Sequence, residues 1–117
     1  MKYLLLFVGT KEDQDRWDTQ SQEQYGTAMA AAGKWFDEYT HAGKIEGGLQ
    51  LTGKDVTTVQ ARNGSRVVTD GPFIESKEVI GGFAIVNVAD LDEAQAMAKA
   101  WPGGPVEIWP AVEQSGA

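Results

Sequence analysis

The chain has 117 residues with 42% hydrophobic content, the size of one domain and apolar enough to bury a core. It contains no cysteine, which excludes disulfides, thiolate catalysis and Cys-ligated metal sites. A net charge of -7 at pH 7 leaves no basic surface for the counterion release that nucleic-acid binding requires.

Residues 3–8 form a short, nearly continuous apolar run closed by Gly9, which predicts a strand buried on both faces. The run is too short for a signal-peptide core and leads into Lys11-Glu12-Asp13 without a cleavage site. No segment approaches the roughly 20 apolar residues of a bilayer span. A cytoplasmic protein, with no membrane partner, is expected. Residues 11–19 are polar apart from Trp17 and read as a loop, its aromatic folding over a cleft or touching a partner subunit. A helix is predicted over residues 20–42, because Tyr25, Met29, Ala32, Phe36 and Tyr39 recur at spacings of four and three and share one stripe. Gly43 suits its C-terminus. Gly26 and Gly33 weaken it, each by up to about 1 kcal/mol against alanine.

Residues 47–51 suit a short strand. Residues 56–61 and 66–69 are rich in β-formers and flank Asn63-Gly64, which predicts a hairpin. The turn-forming Asp70-Gly71-Pro72-Phe73 and a charged stretch, residues 75–78, follow. Gly81-Gly82 introduces residues 83–88, a second strand apolar on both faces. Asp90 is a good N-cap with Glu93 completing a capping-box pattern. Leu91, Ala94, Met97 (or Ala98) and Trp101 give the second helix its stripe, and Pro102-Gly103-Gly104-Pro105 stops it. Residues 106–111 form a last strand, and 113–117 a tail.

The order is β-α-β, hairpin, β-α-β. It predicts a single α+β domain over residues 1–117, a ferredoxin-like split βαβ sheet with an inserted β-hairpin. The two most apolar strands, residues 3–8 and 83–88, belong at its centre, with both helices on one face. The other face then exposes apolar area, the mark of an interface, and sheet-to-sheet packing into a homodimer would cover it.

The segment from Thr69 to Phe83 reads TDGPFIESKEVIGGF. It resembles the motif DGPF-x-E-x-K-E-x-x-G-G-F of the YCII-related, DGPF-type family at every motif position. The MKYLLL opening, the Gly47-Gly48-Leu49 segment, the Leu91-Asp92-Glu93-Ala94 helix start and the closing Val106-Glu107-Ile108-Trp109-Pro110 agree with it. The resemblance implies a dimeric α/β barrel with a cleft near the DGPF turn, and fixes no reaction. Better-characterised relatives are thought to pair an aspartate at the position of Asp70 with a histidine from the first helix. Here Gln22, Glu23 and Gln24 occupy that region and the only histidine is His41, so the dyad does not carry over. Some relatives are encoded beside sigma factors of the extracytoplasmic-function (ECF) type, which names such a factor as a candidate partner.

Asp70 has two readings. Beside Pro72 and Phe73 it could act as a catalytic acid/base or bind a ligand; it could equally fix its own turn. Phe73 lines a pocket or anchors the loop in the core. Glu75, Lys77 and Glu78 form either a solvated charge set or, given the motif, part of a ligand-binding loop. Gly81 and Gly82 let a ligand or a second backbone approach, or bend the chain into the strand. His41 sits where a cation favours the helix dipole. One histidine and no cysteine leave no nitrogen- or sulfur-rich metal site, Glu12, Asp13 and Asp15 read as a solvated loop, and no nucleotide motif is present, so neither metal nor cofactor is expected. Trp35, Trp101 and Trp109 are expected to pack the helices and the last strand. The functional expectation is a homodimer binding a small polar or anionic molecule near the Asp70-Gly71-Pro72-Phe73 turn, as a regulatory or accessory module. The alternative is a lyase- or isomerase-like enzyme using Asp70 as acid/base.

Overall fold

In β1 (Lys2–Thr10), the first element of the computed structural model, which describes residues 1–72 and 78–113, Tyr3, Leu5 and Phe7 are buried on one face. Leu4, Leu6 and Val8 are half-buried on the other. The continuous apolar run thus resolves into the period-2 alternation of a pleated strand. Two helices follow, α1 (Lys11–Thr19) and α2 (Gln22–His41), then β2 (Ile45–Gln50), the hairpin β3 (Thr57–Arg62) and β4 (Ser65–Asp70), β5 (Glu78–Asn87), α3 (Leu91–Lys99) and β6 (Val106–Ala111).

Strands β2, β5, β1 and β6 lie side by side in that order, all antiparallel. The apolar β1 and β5 are central, and the order fits the ferredoxin-like split βαβ arrangement. Register puts Tyr3 opposite Val86 and Leu5 opposite Ala84, so the buried residues of both central strands share a face. There they meet Trp35 of α2 and Ala94 and Met97 of α3 in one core. Leu5, Met97 and Val86 are its largest fully buried side chains, each contributing about 1.5–3 kcal/mol by leaving water.

The opposite face carries Leu4 and Leu6 of β1, Phe83 and Ile85 of β5 across from them, and Trp109 of β6 opposite Leu4. Ile85 and Trp109 are exposed there. Trp109 therefore does not pack the core as expected. The register with β1 turns it outward, where its indole N–H donates to Glu107 at 2.9 Å.

Four more expectations are corrected. Residues 11–19 form a helix, not a loop: Thr10 Oγ1 accepts from the Asp13 N–H at 3.1 Å and Asp13 Oδ2 accepts from the Thr10 N–H at 2.8 Å, a complete capping box. The buried residue of α2 is Trp35, with Phe36 and Tyr39 partly buried beside it, whereas Tyr25 is exposed. Glu93 does not close a capping box on Asp90; its Oε1 accepts from the Ala89 N–H at 3.4 Å and pairs with Lys44 at 2.9 Å. Strand β5 begins at Glu78, before Gly81 and Gly82, and the bend expected there is an irregularity within the strand, where the register with β1 shifts between Phe7 and Val8 and passes over Gly81.

The hairpin forms its own two-stranded sheet, with Asn63 (φ 51°) and Gly64 (φ 78°) at its turn. Positive φ at both positions is what an Asn-Gly turn provides. The radius of gyration is 16.4 Å, above the roughly 13 Å of a compact chain this long. Among the described residues, no helix is long and apolar enough to cross a membrane.

Candidate functional site

A cavity of about 790 Å³ opens between α1, the middle of α2 and the ends of β2 and β5. The Thr10 cap ends β1 and starts α1, which lies against β1 and β5. Ser21 begins α2 with a second capping box, its Oγ accepting from the Gln24 N–H at 3.1 Å. Extended backbone at Gln20 and Ser21 is all that separates the two helices. Trp17 then reaches across to Tyr25, with ring centroids 5.2 Å apart, and joins α1 to α2 at the cavity mouth. The sequence marked Trp17 as the aromatic that folds over a cleft or meets a partner; it lines this cavity.

The inner end is aromatic. Trp101 stacks on Phe7 with centroids 4.2 Å apart and meets Trp35 edge-on at 5.2 Å. Trp35 is fixed by its indole N–H, which donates to the Met97 carbonyl at 3.0 Å. Phe36 packs edge-on against both Phe7 and Trp35.

Glycines make the floor. A Cβ on Gly48 would lie 2.5 Å from the Phe83 carbonyl oxygen, and one on Gly82 2.9 Å from that of Leu49. Close approach of β2 to β5 requires both glycines. For Gly82, the second backbone anticipated from the sequence is β2. Gly81 also lines the cavity, with only ordinary contact to the Phe7 carbonyl.

The polar groups come mostly from α1. Asp13 is held below the ordinary carboxylate range, chiefly by the Thr10 N–H and then by the Arg16 guanidinium. Asp18 accepts from Gln14 Nε2 at 3.1 Å and pairs with Lys54 at 2.9 Å, which raises the lysine's pKa. Gln50 and Thr52 complete the wall. Among the described residues, both charged members of the lining are acidic. Among the described residues no group of three or more His, Cys, Asp or Glu converges on a metal position. His41 lies at the far end of α2, its Nδ1 2.7 Å from the Asp37 carbonyl, outside this lining.

The structure divides the residues singled out in the sequence. Gly81 and Gly82 border the cavity, while Asp70 ends β4, exposed and opposite Thr57, outside the lining. At Gly71, next in the chain, the N–H donates to the Val56 carbonyl at 2.7 Å and the carbonyl accepts from the Thr58 hydroxyl. Phe73, Glu75 and Lys77 lie outside the described residues, as does the side chain of Glu78. Sequence reasoning missed Asp13, Gln14 and Asp18 because α1 has no apolar period. Its one sequence signal was the Thr10-x-x-Asp13 cap.

An uncharacterized protein of Rhizobium meliloti (strain 1021) is 29% identical over 100 residues, spanning 85% of this chain and 78% of that one. The family model for the YCII-related domain matches residues 1–113, taking in the sheet, the three helices, the hairpin and the cavity alike; the chain belongs to the YCII-related family.

Proposed function

We propose that this protein is a homodimeric binder of small molecules, with the ligand in the cavity between α1, α2 and the sheet. The observation that carries the reading is the cavity itself: about 790 Å³, walled by Trp17, Phe36 and Trp101, with a few polar groups at one side. Ligand sites are commonly concave, of this size, mostly apolar and marked by a small set of convergent polar groups. Asp13 and Asp18 of the described lining are each paired with a cation, Arg16 and Lys54, and no lysine or arginine stands among the described lining residues, which supports a neutral or cationic polar group on an apolar body over the anionic ligand expected from the sequence. Cations also gain from aromatic faces.

Binding without catalysis is favoured over the lyase- or isomerase-like alternative. A general base works best with a pKa near the operating pH. Asp13 is held on the wrong side of its ordinary value for that task, and Asp70 stands outside the cavity. The homodimer follows from the exposed apolar face of Leu4, Leu6, Ile85 and Trp109, which a second copy would cover sheet to sheet as in a dimeric α/β barrel.

Thermal-shift screening with aromatic amines, neutral aromatics and aromatic carboxylates tests the ligand reading, since a ligand binding only the folded chain raises its melting temperature by mass action. Amines and neutral compounds should stabilise the wild type, and Trp17→Ala should lose the effect. Stabilisation by carboxylates alone, or an unchanged response in Trp17→Ala, overturns the assignment.

A further inference from the structure

We propose that the β3–β4 hairpin is an arm whose Val59–Val68 face packs on a second copy of this chain. The proposal deepens the homodimer reading above and rests on it. A lone two-stranded ribbon is marginal in water and needs a further surface for stability. Among the described residues this one pairs only with itself, apart from the four-stranded sheet.

Its faces differ. Val59 and Val68 are directly opposite in register and project to the same side, 50% and 65% exposed. Ala61 and Arg66 form the next pair on that side, two residues nearer the turn. The other side bears Thr58, Gln60 and Val67, all half-buried. The apolar, exposed pair therefore sits where the described side chains of this subunit do not cover it.

Three further observations point to a second copy as the occupant. First, the dimensions of 48 × 46 × 19 Å and the radius of gyration of 16.4 Å describe a chain with projecting parts. Six-residue strands give an arm about 20 Å long, enough to reach a neighbour. Second, two of the chain's three arginines, Arg62 and Arg66, flank the turn at the arm's tip, in a chain of net charge -7. A second copy offers what a face of two valines ending in an arginine lacks: exposed apolar residues beside carboxylates. Third, the open sheet face, with Ile85 and Trp109 exposed on it, already calls for that same partner. Arm and sheet face can thus be covered in one association.

Sedimentation equilibrium on the full chain tests this, using wild type, Val68→Asp, Ile85→Asp and the pair Arg62→Glu/Arg66→Glu. Wild type should dimerise. Val68→Asp should weaken the dimer at least tenfold, and the double arginine variant should weaken it and flatten its salt dependence. Wild type remaining monomeric at high concentration removes the homodimer reading and the arm with it. A dimer lost in Ile85→Asp but unchanged in both arm variants overturns the arm and leaves the sheet-face dimer standing. If Val68→Asp fails to fold, Val68→Cys carrying an environment-sensitive fluorophore replaces it, its thiol being the only one in the chain. Its emission should shift to the blue across the monomer–dimer transition. A label already blue-shifted in the monomer, or unchanged in the dimer, refutes packing on a second copy.

Discussion

Gly47 and Gly48 are neighbours in β2, yet alanine at the two positions should change stability in opposite directions. A Cβ on Gly48 would stand 2.5 Å from the Phe83 carbonyl oxygen, 3.1 Å from the Ala84 Cα and 3.3 Å from Phe36 Cε1. Two of these are backbone atoms of β5, which cannot swing aside as a flexible side chain can. Alanine must separate β2 from β5 or tilt Phe36, an overpacking cost of about 1–3 kcal/mol. Against this, replacing glycine reduces the entropy of the unfolded chain, a gain of about 0.4–1 kcal/mol. The net is a loss near about 1.3 kcal/mol. For 117 residues, an unfolding entropy of about 2.1 cal/mol/K per residue makes each kcal/mol worth about 4 °C. Gly48→Ala should therefore melt about 5 °C below wild type. Around Gly47 no atom lies within 4 Å of the added Cβ, so only the unfolded-state gain remains and Gly47→Ala should melt about 2–4 °C above wild type. Calorimetry at a concentration that keeps the chain monomeric reads both. Equal shifts, or a rise for Gly48→Ala, would refute the argument that interstrand approach requires glycine here.

Met97→Ala should cost about 2–5 kcal/mol, because the side chain is 1% exposed and collapse around it is limited by Trp35 and the sheet; urea denaturation should show a lower midpoint at an unchanged slope. Thr10→Ala should cost about 1 kcal/mol through loss of the α1 cap, with amide exchange accelerating in residues 11–19 more than in the sheet. Asp13 has its pKa depressed in the folded state by the Thr10 N–H and Arg16. Its contribution is therefore present above the ordinary value of 3.8 and is lost as pH falls below it. Wild type should lose stability more steeply than Asp13→Asn between pH 5 and 2, and parallel curves would contradict the assigned hydrogen bonds.

Much of the framework was legible because it rests on local signals. The two most apolar runs became the central strands, which supply Tyr3, Leu5, Phe7, Ala84 and Val86 to the face packed against α2 and α3. Asn63-Gly64 gave the hairpin turn, Asp90 the cap of α3 through its bond from the Glu93 N–H at 2.9 Å, and residues 106–111 the last strand. Helix α1 was not legible from periodicity because it has no buried residue; it stands on its cap and on Trp17 against Tyr25. Trp109 was misplaced because residue type says how apolar a side chain is, while the side of the sheet it takes depends on register with β1.

The candidate site divides along the same line. Of the motif residues the structure describes, Gly81 and Gly82 border the cavity and Asp70 stands outside its lining. Close approach of backbones at Gly48 and Gly82, stacking of Trp101 on Phe7 and the packing of α1 against β1 and β5 bring together residues up to about a hundred positions apart. Hydrophobic pattern and caps act within a few neighbours along the chain, so the sequence by itself determined the elements and which strands lie innermost. Which empty space those elements enclose, and which face they leave uncovered, depends on how whole elements pack against one another, and that was decided only by the tertiary structure.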